Sequence, residues 1–144
     1  MTPPALSIRS YQPSDAQGVV QLWHDCGLTR PWNDPYKDIA RKLTVQPDLF
    51  LVGTADDTLV GAVMAGYDGH RGWVNYLAVA PGCQRRGYAT LLMQEVERRL
   101  VAIGCPKINL LVRRGNEAVV AFYEKLAFRP DEVVSLGKRL IPDS

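Results

Sequence analysis

Long apolar runs are missing from this 144-residue chain. Nowhere do the roughly 18 consecutive apolar residues of a membrane span occur, and residues 1–10 hold no signal-peptide core. Neither membrane insertion nor export is expected, and the expected compartment is the cytoplasm. Cysteine is scarce: Cys26, Cys83 and Cys105 make an odd count with no CxxC pair. That argues against a disulfide framework and fits reduced thiols. Histidine is scarcer, with His24 and His70 alone, and no His, Cys, Asp or Glu group has ligand spacing. No metal is therefore expected. Net charge is nearly absent, since 17 Lys and Arg against 15 Asp and Glu leave +2. A nucleic-acid partner would call for a strongly basic face. No Gly-Lys-Ser/Thr is found after the glycine-bearing turn described below, which disfavours a P-loop nucleotide hydrolase.

What is present is ordinary globular composition, with 47% hydrophobic and 22% charged residues. A chain of this length is expected to form one domain over residues 1–144 and to bury roughly two-thirds of its unfolded surface. Alternation at Leu6–Tyr11 reads as a strand. Ser14 or Asp15 can cap a helix whose buried side is Val19, Val20, Leu22 and Trp23. Arg30-Pro31-Trp32-Asn33-Asp34-Pro35 is too rich in Pro and Asn for regular structure, and a short helix over Tyr36–Val45 follows it. Leu49–Gly53, Thr58–Tyr67 and Trp73–Val79 read as strands joined by turns at Asp56-Asp57 and Asp68–Gly72. Tyr88–Ile103 repeats apolar residues every three or four positions, as an amphipathic helix does, and Gly104 stops it. A strand over Ile108–Val112 and a helix over Asn116–Leu126 come next, and Phe128–Val134 and Ser135–Ile141 close the sheet. The expected class is α+β: a mixed, mostly antiparallel sheet of about seven strands with helices on both faces.

The most telling stretch joins strand to helix through Gln84-Arg85-Arg86-Gly87-Tyr88-Ala89. Gly87 and the small Ala89 fall where the chain turns, so free backbone N–H groups converge at the positive end of a helix. The dipole alone contributes about 0.3–1 kcal/mol. Charge-assisted hydrogen bonds contribute about 1.5–3 kcal/mol each, so convergent amides would dominate the hold on a pyrophosphate. Taken alone, the same residues also suit a helix start beside a solvated arginine pair.

A second cluster changes that balance. Asn116 precedes Tyr123 by seven residues, within Ala121-Phe122-Tyr123-Glu124-Lys125-Leu126-Ala127-Phe128. Both clusters, in this strand order, resemble the GNAT superfamily of N-acetyltransferases. Its acetyl-CoA signature is Gln/Arg-x-x-Gly-x-Gly/Ala, and its downstream pattern is usually F-Y-x-x-x-G-F, so Ala127 stands where Gly is common. The segments at 30–35, 67–72 and 135–140 resemble, more narrowly, the bacterial YpeA-type acetyltransferases.

The resemblance implies an acetyl-CoA-dependent transfer to a primary amine, small molecule or peptide, by direct attack within a ternary complex. It implies a pyrophosphate loop of Arg85, Arg86, Gly87, Tyr88, Ala89 and Thr90, with an arginine toward the 3′-phosphate. Leu77, Ala78 and Val79 would offer backbone to the pantetheine arm. Asn116 would contact CoA, although it also suits a helix cap. Tyr123 would serve as general acid or thiolate stabiliser, although a core tyrosine reads the same way. Leu111 occupies the strand position where the ribosomal-protein alanine acetyltransferases carry a Glu base, and leucine accepts no proton. Candidates to take the amine's proton instead are Asp34, Asp68 and His70, with Asn75 as a water holder. The acceptor site is expected between the 30–35 loop and the 68–72 turn, with Trp32 as a wall and Asp34 or Asp68 attracting the cationic amine. A covalent route through Cys83 lacks a partner histidine in the sequence. The competing reading is a non-catalytic acetyl-CoA-binding regulatory module, and either a monomer or a homodimer fits.

Overall fold

The computed structural model describes residues 2–143. The chain runs β1 (Ser7–Ser10), α1 (Ala16–Asp25), α2 (Pro35–Lys42), β2 (Phe50–Ala55), β3 (Thr58–Tyr67), β4 (Gly72–Val79), α3 (Tyr88–Ala102), β5 (Ile108–Leu110) and α4 (Glu117–Lys125). Single 3-10 turns precede α1, β2 and the corner before α3. The five strands form one sheet in the order β1-β2-β3-β4-β5. β1 to β4 are antiparallel and β5 joins β4 in parallel. The β2–β3 turn places Asp56 and Asp57 both at positive φ, 51 and 62. Two left-handed residues in a row match the twist of a tight hairpin, and Asp tolerates that conformation better than most side chains.

Alternation along the strands splits the interior into two layers. Leu51, Val63, Ala65, Val74 and Val79 point to one face, against Leu92, Val96 and Leu100 of α3 and Tyr123 of α4. Phe50, Val52, Ala62, Met64 and Ala78 point to the other, against Val19, Leu22 and Trp23 of α1 and Ile39 of α2. Such two-sided cover explains why β2 and β3 are near-continuous apolar runs.

The sheet departs from expectation at its end. Among the described residues it has five strands, not about seven, because no strand forms over 128–134 or 135–141. Pro130 cannot donate to a ladder, Arg129, Asp131 and Glu132 break the alternation, and Gly137 interrupts the second run. Polar contacts tie this segment down instead. Asp131 accepts from Lys107 and from Asn109, the latter at 2.8 Å. Arg139 bonds the Asn33 side chain. The short β5 is left with its outer edge uncovered, and Val133, Val134, Leu136, Leu140 and Ile141 are exposed.

Candidate active site

The strand-to-helix corner is shaped by its backbone. A 3-10 turn (Pro81–Cys83) follows β4, and Arg85 and Gly87 then take φ of 64 and 81. Left-handed residues near a helix start turn successive N–H groups inward, toward one point. No side chain caps α3. Its first backbone bond runs from Leu91 N–H to the Gly87 carbonyl. The N–H groups of Tyr88, Ala89 and Thr90 thus have no partner within the helix. A methyl placed on Gly87 would meet nothing within 4 Å, so open space lies in front of this corner. Arg85 and Arg86 are exposed beside it. Tyr88 takes part through its backbone alone, since its ring is buried and its hydroxyl donates to the Pro4 carbonyl.

A slot leads from the corner. β4 and β5 pair through Gly72↔Ile108, Trp73↔Asn109 and Val74↔Leu110, and there the pairing ends. The rest of β4 has no neighbour on that side. Ala80 N–H donates to the Val60 carbonyl on the β3 side at 2.8 Å. Backbone alternation therefore turns Leu77 and Val79 toward the slot and Ala78 toward β3. Gln84 Nε2 and Cys26 Sγ both donate to the Val79 carbonyl, each at 3.3 Å. Leu77 N–H and C=O and Val79 N–H face the side of β4 where no strand pairs with them. A bulge interrupts β4 here, because the β3 register shifts between Ala62 and Met64 and Tyr76 takes φ of 55. The extra residue sets the Asn75 and Tyr76 side chains together on the α1/α2 face.

On the opposite face stands Tyr123. Its ring packs edge-on between Phe122 and Phe128, at centroid distances of 5.1 and 5.3 Å. Burial alone pushes its phenol up to about 12. A groove of about 1050 Å³ runs past it between α3, β5, α4 and residues 128–135. Leu111, 69% exposed, lines the same groove and brings no proton acceptor to it. Asn116 occupies the N-cap of α4 without a side-chain capping bond, so its amide is not committed to the helix.

The acceptor-side candidates separate into two groups. Trp32 is half exposed, with the Arg113 guanidinium 5.7 Å from its ring centroid. That contact sets Trp32 beside the segment following β5. The Asp34 carboxylate caps α2, accepting from Tyr36 N–H at 2.9 Å and Lys37 N–H at 3.3 Å. Its own N–H donates to Asp143 at 2.6 Å. Asp68 and His70 lie in the β3–β4 turn, about 13 Å along the strand from the bulge at ~3.3 Å per residue. The Asp68 carboxylate accepts from Arg71 N–H, His70 N–H and the Trp73 indole. Those bonds, the backbone ones first, hold it below its ordinary pKa. Both aspartates are thus engaged locally, and the exposed Asn75 is the candidate adjacent to the bulge.

Three polar groups at the site carry no mark in the sequence: Tyr76, Asp38 and Asp143. Tyr76 donates its hydroxyl to Asp38 on α2 at 2.6 Å. Asp143 reaches back to bind Arg41 at 2.7 Å as well as Asp34 N–H, and its carboxyl is held down to about 2. Tyr76 reads as one more strand residue and Asp38 as a helix-surface acid, so no local signal marks either. Among the described residues no group of three or more His, Cys, Asp or Glu side chains could hold a metal, and no helix is long and apolar enough to cross a membrane.

Residues 16–128 match the model of the acetyltransferase (GNAT) family. The chain is 50% identical over 138 residues to an acetyltransferase of Yersinia pestis, covering 96% of this chain and 98% of that protein. Among solved structures it is similar to Ard1 from Thermoplasma volcanium, with a TM-score of 0.76 and 24% identity over 87% of this chain and 83% of that one. It is also similar in fold to AAC(6')-Iy in complex with the bisubstrate analogue CoA-S-monomethyl-acetylneamine. There the TM-score is 0.77 at 19% identity, over 94% of this chain and 99% of that one.

Proposed function

Because the chain belongs to the GNAT family of acetyltransferases, we propose that it transfers an acetyl group from acetyl-CoA to a primary amine, by direct attack in a ternary complex. The observation that carries this reading is the alignment of an uncapped helix start with an unpaired stretch of β4. One offers donors for a diphosphate and the other offers backbone for an extended arm. The residues present fit that ligand: Gly87 leaves room at the corner, and the N–H groups of Tyr88, Ala89 and Thr90 have no helical partner. Arg85 and Arg86 add charge for a 3′-phosphate. Leu77 and Val79 pair with the arm, as a strand pairs with an extended peptide.

Bound acetyl-CoA supplies a thioester carbonyl as electrophile and a thiolate as leaving group. Tyr123 supplies a hydrogen bond to that sulfur. A phenol at about 12 is a poor proton donor to a thiolate whose acid form lies near 8.5. Tyr123 therefore stabilises negative charge as it develops and keeps its proton through the step. Asn116, whose side chain makes no capping bond, is the further amide assigned to CoA. Acceptor recognition belongs to the α1/α2 face, where Trp32 and Asn75 lie exposed, and the narrower kinship with YpeA-type enzymes is part of the same proposal.

The test is a free-thiol assay with acetyl-CoA across a panel of amines, with mass spectrometry of the product. At least one amine is expected to release CoA in step with N-acetylated product. Acetyl-CoA binding with slow, amine-independent thiol release would instead identify a regulatory binding module.

A further inference from the structure

Tyr76 is held in a conformation that costs a bulky residue free energy, with φ of 55 at the bulge of β4. Two contacts keep it there. Its ring stacks on Trp23 of α1 with centroids 3.8 Å apart, and its hydroxyl donates to Asp38 Oδ2 at 2.6 Å. Trp23 stays beneath that ring although its own indole N–H is buried without a partner. Strain and an unsatisfied donor at one spot are tolerated where the arrangement serves the site. The spot is the place where β5 leaves β4, on the sheet face opposite Tyr123.

We propose, resting on the acetyl-transfer reading above, that Asp38 takes the proton of the incoming ammonium through the Tyr76 hydroxyl. The acceptor nitrogen gives a proton to Tyr76 Oη as Tyr76 gives its own to Asp38 Oδ2. The freed nitrogen lone pair forms the bond to the acetyl carbon, the carbon–sulfur bond breaks, and sulfur leaves with the electron pair and takes up the second proton that nitrogen sheds as the amide forms. Asp38 returns its proton to water through the same hydroxyl after product departs. Burial first, then the bond to Asp38, raises the Tyr76 phenol well above its ordinary range, so Tyr76 relays protons and does not ionise. This fills the role that Leu111 cannot.

The charges around the pair suit that role. Arg41, on the same helix, lies 3.4 Å from Asp38 but 2.7 Å from Asp143, so its stronger bond is to the tail carboxylate. Arg139 adds a contact to Asp143 at 3.8 Å. Lys42 follows Asp38 by one helical turn and is buried, and α1 brings the uncharged Trp23 ring to the pair.

Asp38→Asn and Tyr76→Phe test the relay from pH 6.5 to 10. The amines are spermidine, kanamycin, an alanine-initiated peptide and free lysine, with CoA affinity by calorimetry and thermal melts alongside. With an amine that the wild type acetylates, both variants should lose turnover at pH 7 as the amine's neutral fraction dictates, about tenfold for an α-amine and more than about 100-fold for the lysine side chain. The deficit should shrink to about threefold as pH approaches the amine's own pKa, near 8 for an α-amine and about 10.4 for lysine, since a neutral amine needs no base. CoA affinity should stay within about twofold. A deficit constant across pH would assign the pair to architecture and overturn the relay, as would turnover equal to wild type. Should Asp38→Asn fail to melt cooperatively, Tyr76→Phe, which keeps its ring on Trp23, decides alone. A wild type that binds CoA yet acetylates none of these amines would overturn the acetyl-transfer reading, and the relay with it. The two variant outcomes overturn the relay alone.

Discussion

Replacing Tyr123 by Phe removes one oxygen and leaves the packing in place. The ring is held edge-on by Phe122 and Phe128 and is 8% exposed, so the fold has little reason to notice. What disappears is a donor beside the leaving sulfur. If the phenol at about 12 gave up its proton to a thiolate near 8.5, the transfer would be uphill by about 5 kcal/mol. A hydrogen bond to the charged sulfur is worth about 1.5–3 kcal/mol, which corresponds to a loss of roughly 10- to 150-fold in kcat. Acetyl-CoA affinity should hold, because a bond formed mainly as charge develops does not strengthen ground-state binding. Stopped thiol-release assays, calorimetry and a thermal melt together separate these quantities. The wild-type profile should also show no fall in kcat from loss of this proton as pH rises from 8 to 10, since the group stays protonated below about 12. Turnover of Tyr123→Phe within threefold of wild type, or a loss expressed in affinity and melting temperature, would refute the reasoning.

Arg85→Ala with Arg86→Ala should weaken CoA binding by about tenfold and binding of 3′-dephospho-CoA much less, which competition calorimetry reads directly. Ala127 sits at φ of 71, a left-handed position that disfavours any Cβ. Ala127→Gly should therefore raise stability by up to about 1 kcal/mol, seen as a higher denaturation midpoint. Asp143→Asn should lower the melting temperature at neutral pH. The bonds from Arg41 and from Asp34 N–H hold the native carboxyl down to about 2, so this contribution is complete above the unfolded value near 4 and fades as pH falls from there toward 2. Melts of both proteins across that window should converge at the acid end.

Local signals in the sequence were reliable guides here. The Asp56-Asp57 turn and the full span of β3, Thr58–Tyr67, follow from turn chemistry and an apolar run bounded on both sides. Gly87, Asn116 and Tyr123 are marked by residues within a few positions of them, and the structure places Gly87 and Asn116 at helix starts and Tyr123 on α4. Segment 128–141 misleads because Val133-Val134 and Leu140-Ile141 have strand-like composition. Pro130, Gly137 and the charges between them defeat ladder pairing, and nothing local reveals that Asp143 will anchor the tail on α2 instead. Asp34 carries a local signal of a different role: an Asp directly before a Pro at the first helical position is a cap, and the structure uses it as one. The Asp38–Tyr76 bond spans 38 positions and depends on a bulge that no spacing announces, so it becomes visible only in three dimensions.

Titration of the folded protein with acetyl-CoA in a calorimeter bears most directly on the pyrophosphate corner and its slot. One saturable equivalent should bind to the wild type, and Gly87→Ala, which strains the backbone at φ of 81, should bind at least tenfold more weakly while melting as a folded protein. Absence of both heat and thermal stabilisation when acetyl-CoA meets the folded wild type would contradict the account at its root.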